Sequence, residues 1–180
     1  MKESISTISH GAYTAEISSI GATLATLKFE DKNLVEPRLN IRYFSGEILA
    51  PGPNRMADRR YSQNGETFEL QINEIFRNNA LHGLVFDKSW KSLTKEKDAI
   101  SLEIILDDTN KYPGILELET TYELDDKGLL STLTATNLSD IVLLYGASTH
   151  PYLTVPGVES VDEYFLQISA NQVYLSDEER

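Results

Sequence analysis

Leu116-Glu117-Leu118-Glu119-Thr120-Thr121-Tyr122-Glu123-Leu124 is the stretch on which the fold turns. Leu116, Leu118, Thr120, Tyr122 and Leu124 can all face a core, while Glu117, Glu119, Thr121 and Glu123 face water. A period of two with one wet face is the pattern of a half-buried antiparallel strand. Asp125-Asp126-Lys127-Gly128 then supplies a turn, and residues 129–137 place Leu129, Leu133 and Ala135 on one face with Ser131, so the two segments read as a hairpin. A second hairpin is expected around Asn64-Gly65, between Arg60-Tyr61-Ser62 and Thr67-Phe68-Glu69-Leu70, because Asn-Gly suits the positive φ angles of a type I′ turn.

Working outward, short strand candidates bounded by Gly, Asp, Asn or Pro lie at residues 14–18, 23–29, 101–106, 141–145, 164–169 and 172–175. Helical periodicity is nowhere sustained over three turns. The chain is therefore expected to be all-β, an antiparallel β-sandwich or barrel of Greek-key or meander type. Residues 50–60 and 71–90 resist this reading: they are aperiodic and rich in Asn, Arg and Gly. Long irregular loops in a compact sheet protein tend to carry function.

A chain of 180 residues suits a single domain, and neither repeats nor a linker divide residues 1–180. The 28 acidic and 16 basic side chains give a net charge of −12, which repels a phosphate backbone, so nucleic acid is not an expected partner. No apolar run is long enough for a bilayer, and the first residues lack the basic and apolar segments of a signal peptide. No membrane association and a cytoplasmic location are the corresponding expectations. Without Cys there are no disulfides, thiolate nucleophiles or thiolate metal sites.

The chemistry rests on few groups. His10 precedes the strands and reads as a solvated terminal side chain. For His82, in Asn79-Ala80-Leu81-His82-Gly83-Leu84, and for His150, in Ser148-Thr149-His150-Pro151-Tyr152-Leu153, position alone leaves a structural imidazole and a site residue both open. The spacings HxxxH, HxH and HExxH are missing, so a metal is not expected. The motifs GxSxG, GxGxxG and GxxxxGK[ST] are missing too, which removes a serine elbow and the familiar phosphate cradles, and no cofactor is expected. What remains is proton transfer by His on a neutral, sugar-like substrate, with Asn, Arg and aromatic side chains in support.

Six pieces in order carry a resemblance: Ala50-Pro51-Gly52-Pro53-Asn54-Arg55; Arg59-Arg60-Tyr61 with Asn64-Gly65; Asn79 to Leu84; Trp90; Tyr112-Pro113-Gly114; and Thr149-His150-Pro151-Tyr152-Leu153. The chain resembles the aldose 1-epimerase (galactose mutarotase) family, in particular its bacterial branch with APWPNR and HPYL signatures. That resemblance implies a β-supersandwich that binds an aldohexose in an open cleft and interconverts its anomers. A carboxylate takes the proton of the C1 hydroxyl, a histidine protonates the ring oxygen, and the opened ring recloses on its other face. An imidazole with an ordinary pKa near ~6.5 suits the acid role. By resemblance, His150 is the general acid, His82 the second histidine at the sugar oxygens, and Arg55 the anchoring arginine, with Asn54 orienting its loop. Tyr152 and Trp90 could lie against an apolar face of the sugar, although Trp90 also has a strong reading as core.

The resemblance also implies a catalytic Glu and a sugar-holding Asp from a later part of the family's sequence. The terminal Ser176-Asp177-Glu178-Glu179-Arg180 offers no convincing counterpart for either. Two readings follow: a truncated mutarotase fold, impaired for want of its base, or a non-catalytic carbohydrate-binding β-domain. Sheet edges left uncovered by truncation would favour association into a homo-oligomer.

Overall fold

The long hairpin anticipated from residues 116–137 is the backbone of the second of two four-stranded sheets. In a computed structural model, which describes residues 2–38 and 44–173, the first sheet is a meander of β1 (Ile5–His10), β2 (Tyr13–Ser18), β3 (Leu24–Phe29) and β4 (Lys32–Asn33). Five short strands cross the irregular region: β5 (Ile48–Leu49), β6 (Arg55–Met56), β7 (Arg60–Gln63), β8 (Glu66–Glu69) and β9 (Ala80–Leu81). The second sheet is the meander of β10 (Lys91–Lys95), β11 (Ala99–Leu106), β12 (Leu116–Asp125) and β13 (Gly128–Asn137), after which β14 (Ser148–Thr149) returns to pair with β5. All the ladders are antiparallel.

The side chains follow the expected alternation. Leu116, Leu118, Thr120, Tyr122 and Leu124 are buried along β12, and the residues between them are not. Asp125 pairs with Gly128, so the β12–β13 turn is Asp126-Lys127, and the Lys127 N–H donates to Asp125 Oδ1 at 2.7 Å. In the β7–β8 hairpin Asn64 and Gly65 both take positive φ, 54° and 83°, as a type I′ turn requires. A single apolar core joins the sheets, with Ile8, Ala15 and Ile17 from the first and Ile100, Leu102, Leu118 and Tyr122 from the second. Across it the Tyr122 hydroxyl donates to the Ala22 carbonyl at 2.7 Å. Ala22 O would otherwise face hydrocarbon, so this bond ties the two layers at a fixed point. Strand β10 is exposed throughout and carries a Lys at each end, a common defence of a sheet edge.

Two expected strands are corrected. Residues 141–145 form no ladder, because side chains occupy their backbone groups. Asn137 Nδ2 donates to Ile141 O at 2.7 Å, the Gln63 amide pairs with Val142 O and Leu144 N, and the Tyr112 hydroxyl donates to Leu144 O at 2.8 Å. Residues 164–169 have no ladder partner among the described residues. The candidate at 172–175 lies partly, and the terminal acidic run wholly, outside the described residues. His10 is not simply solvated. Its ring nitrogens meet Asp98 at 3.4 Å and Asp126 at 3.1 Å, and hydrogen bonds to Asp126 and Asp98 raise its pKa. Among the described residues no helix is long and apolar enough to cross a membrane.

Tyr122→Phe leaves the buried Ala22 carbonyl without its partner at nearly constant packing. The expected cost is about 1–3 kcal/mol, read as a lower urea midpoint with unchanged m; a midpoint equal to that of the unmodified chain contradicts the role given to this bond.

Candidate active site

The two irregular segments are stitched together strand by strand. In β6 and β9, Arg55 pairs with Leu81 and Met56 with Ala80. One residue beyond that ribbon, His82 N donates to Asn54 O at 3.0 Å, and Asn54 N donates to His82 Nδ1 at 3.2 Å. Next, Gly83 forms a parallel bridge with Ala50, and Leu84 N donates to Ala50 O at 2.8 Å. A Cβ on Gly83 would stand 2.4 Å from Ala50 O and 2.6 Å from Pro51 O. Only glycine admits this approach, and its φ of 78° favours glycine as well. His82 and Asn54 are themselves left-handed, at φ 67° and 69°, a region Asn tolerates better than most residues.

His150 arrives from the other side. Strand β14 sets Ser148 opposite Leu49 and Thr149 opposite Ile48, and Gly46 N donates to the His150 carbonyl at 2.8 Å. The next turn of chain is pinned as well, with Glu36 N on Tyr152 O at 2.7 Å and Thr154 N on Leu34 O at 3.0 Å. The rings of His82 and His150 consequently meet edge to face with centroids 5.4 Å apart. Tyr152 continues the row at 5.2 Å from His150, and Phe44 closes its other end at 4.4 Å from His82.

The Asn54 contact decides the state of His82. An amide N–H donating to Nδ1 requires that nitrogen to be an acceptor, so the neutral ring carries its proton on Nε2. Burial, then the neighbouring His150 and Arg55, push the His82 pKa down to about 4. His82 is therefore a neutral hydrogen-bond donor at pH 7 rather than a store of transferable protons.

Arg55 does not stand alone. Its Nε donates to Glu74 Oε1 and Oε2 at 3.0 and 2.9 Å, and Nη2 to Oε1 at 2.9 Å. Asn79 Nδ2 donates to Glu74 Oε2 at 2.8 Å and Arg77 Nη1 to Oε1 at 3.2 Å. Arg55, with help from Asn79, holds the Glu74 carboxyl down at about 2. Glu74 and Phe44 were not singled out in the sequence. A lone acid in an aperiodic loop and a Phe in an irregular segment carry no spacing signal, and only the folded loops give them partners.

The structure thus gathers His82, His150, Arg55 and Tyr152 into one region, with Asn54 contributing through its backbone while its side chain is exposed. Trp90 is corrected to core. It is 2% exposed, and its indole N–H donates to Val85 O at 3.2 Å, which leaves no face for a ligand. Among the described residues no group of three or more His, Cys, Asp or Glu is arranged to hold a metal ion.

This two-sheet antiparallel fold has clear relatives. The fold is that of a putative aldose 1-epimerase from Escherichia coli K12, with TM-score 0.74 and 23% identity over 84% of this chain and 52% of that one. It is also that of a GalM/aldose epimerase homologue from C. elegans, with TM-score 0.75 and 21% identity over 87% of this chain and 52% of that one. The galactose 1-epimerase of Lactobacillus acidophilus NCFM aligns with TM-score 0.65 and 20% identity, over 84% of this chain and 53% of that one. In sequence, the uncharacterized protein YihR of Escherichia coli K12 is 35% identical over 173 residues, 93% of this chain and 56% of that protein. Residues 4–180 match the aldose 1-epimerase family, and the chain belongs to it. It spans about half the length of these relatives.

The low proton affinity of His82 has a measurable consequence. Between pH about 6.5, where an unfolded imidazole titrates, and about 4, where folded His82 does, the unfolded chain binds the extra proton. Stability therefore falls as pH drops through that window. Urea midpoints at pH 7 and pH 5 should differ less in His82→Asn than in the unmodified chain; an equal difference in both contradicts the assignment.

Proposed function

We propose that this chain carries the proton-donating and sugar-anchoring groups of an aldose mutarotase, an isomerase that interconverts the α and β anomers of an aldohexose. The observation that carries this reading is the edge-to-face pair of His82 and His150, 5.4 Å between centroids, with one imidazole fixed as a neutral donor by the Asn54 N–H. Like charges on two adjacent rings are unfavourable, so the labour divides. His82 donates its Nε2–H to a sugar oxygen and steadies the ring oxygen, while His150 delivers the proton that lets the C1–O5 bond break. Arg55 anchors a sugar hydroxyl, and Tyr152 stands beside His150. The other half of the reaction needs a base at the C1 hydroxyl. Glu74 is unsuited to it, since its oxygens are engaged by Arg55, Asn79 and Arg77 and its carboxyl is held at about 2. The base proposed from the resemblance is a Glu without a counterpart in these 180 residues, and low turnover is proposed for the chain by itself.

Polarimetry of freshly dissolved α-galactose and α-glucose tests this directly. The 180-residue chain should barely exceed the buffer rate, and a chain carrying the family's full length should exceed it greatly. In the longer chain His150→Gln should lower kcat by about 10²- to 10⁴-fold. Undiminished turnover in that variant removes His150 as the donor. If the 180-residue chain and its extension both bind sugar without accelerating anomerisation, a carbohydrate-binding domain is the better description.

A further inference from the structure

The Arg55 guanidinium reaches the candidate site already engaged, and the partner it is engaged with is not a residue the mutarotase reading uses. Glu74 takes both the Nε and Nη2 edge of Arg55 in a fork of three contacts between 2.9 and 3.0 Å. A planar guanidinium held along that edge cannot rotate about its last bonds, and its remaining N–H groups, Nη1 foremost, point away from the carboxylate. Arg55 pairs across the ribbon with Leu81, the neighbour of His82, and depresses the proton affinity of His82, so it belongs to the same neighbourhood as the imidazole pair.

Glu74 is itself over-determined. Its backbone bridges to Asn79, with Glu74 N on Asn79 O and Asn79 N on Glu74 O, each at 3.2 Å. The buried Asn79 side chain returns to Glu74 Oε2 at 2.8 Å. Asn73 then clips the loop to β9, with Leu81 N on Asn73 Oδ1 at 2.6 Å and Asn73 Nδ2 on Leu81 O at 3.0 Å. Since Leu81 pairs with Arg55, the loop that carries the carboxylate and the strand that carries the arginine are one rigid unit. An arginine free to sample its rotamers pays side-chain entropy each time it closes on a ligand; an arginine preset by a bidentate carboxylate pays it at folding.

We propose that Glu74 is the positioning residue for substrate binding: it acts through Arg55, fixing the guanidinium so that its Nη1 edge is presented to the sugar. This rests on the mutarotase reading above. A carboxylate that merely staples residues 73–79 to β6 would have the same contacts but a different thermodynamic signature. If Glu74 works through Arg55, its removal weakens sugar binding only while Arg55 is there to be misplaced.

The test is a double-mutant cycle on galactose affinity, measured by isothermal titration with the 180-residue chain, Glu74→Gln, Arg55→Ala and the double variant. Glu74→Gln is expected to weaken binding about tenfold, the scale of a lost charge-assisted hydrogen bond, and to have no further effect in the Arg55→Ala background. Arg77→Ala, which removes a single 3.2 Å contact to the same carboxylate, should stay within about twofold of the unmodified chain. Affinity unchanged in Glu74→Gln, or an equal loss with and without Arg55, overturns the positioning role and leaves the mutarotase reading intact. No binding by the unmodified chain overturns that reading and the proposal together. A check without any variant is the Arg55 Nε–H resonance, which should be protected from exchange both before and after galactose is added. Loss of protection on adding the sugar means the ligand competes for the edge held by Glu74, and that result also overturns the proposal.

Discussion

The site depends on the close approach of two irregular loops at Gly83 and Ala50. With 2.4 Å between a would-be Cβ and Ala50 O, the two backbones can touch only because residue 83 lacks a side chain. That contact sets His82 beside Asn54, and the reciprocal hydrogen bonds of the pair then fix both the position of the imidazole and the nitrogen that bears its proton. The same stitching brings Arg55 against Leu81 and, through Asn73 and Asn79, brings Glu74 against Arg55. A chemical asymmetry between two histidines thus follows from a steric fact about a glycine.

The sheets contribute rigidity and a frame. The shared core and the Tyr122–Ala22 hydrogen bond hold the layers, and from that frame β5 and β14 carry His150 towards the loops. Neither imidazole projects from a long strand. Both sit one residue beyond two-residue strands, β9 and β14, where the ladder ends and the backbone is free to turn. Burial and the neighbouring His150 lower the proton affinity of His82, and the charges of Arg55 and Glu74 act on it with opposite signs.

Much of this was legible in the sequence where physics is local. Alternation in residues 116–124 gave β12 with the correct buried face, and Asn64-Gly65 gave the β7–β8 turn, because period and φ preference are properties of short segments. The aperiodicity of residues 50–60 and 71–90 marked where to look, and the resemblance supplied His82, His150, Arg55 and Tyr152 as candidates. Long-range partnership was not legible. Residues 141–145 read as a short apolar strand, yet Gln63, Tyr112 and Asn137 occupy their backbone groups. Trp90 could have faced either way until its indole was found on Val85 O. Glu74 acquires meaning only from Arg55, 19 residues away, and Asn54 matters through its N–H rather than the amide that made it a candidate.

The two neighbouring imidazoles divide: His82 is neutral and protonated on Nε2, and His150 beside it is the ring proposed to serve the sugar's ring oxygen. Long-range ¹H–¹⁵N spectra of the imidazole nitrogens, recorded near neutral pH with and without galactose, test it most directly. The account predicts the Nε2–H tautomer for His82 before sugar is added, and displaced resonances for both rings afterwards while the Trp90 indole signal stays put. An Nδ1-protonated His82, or imidazole signals indifferent to saturating sugar, would contradict it.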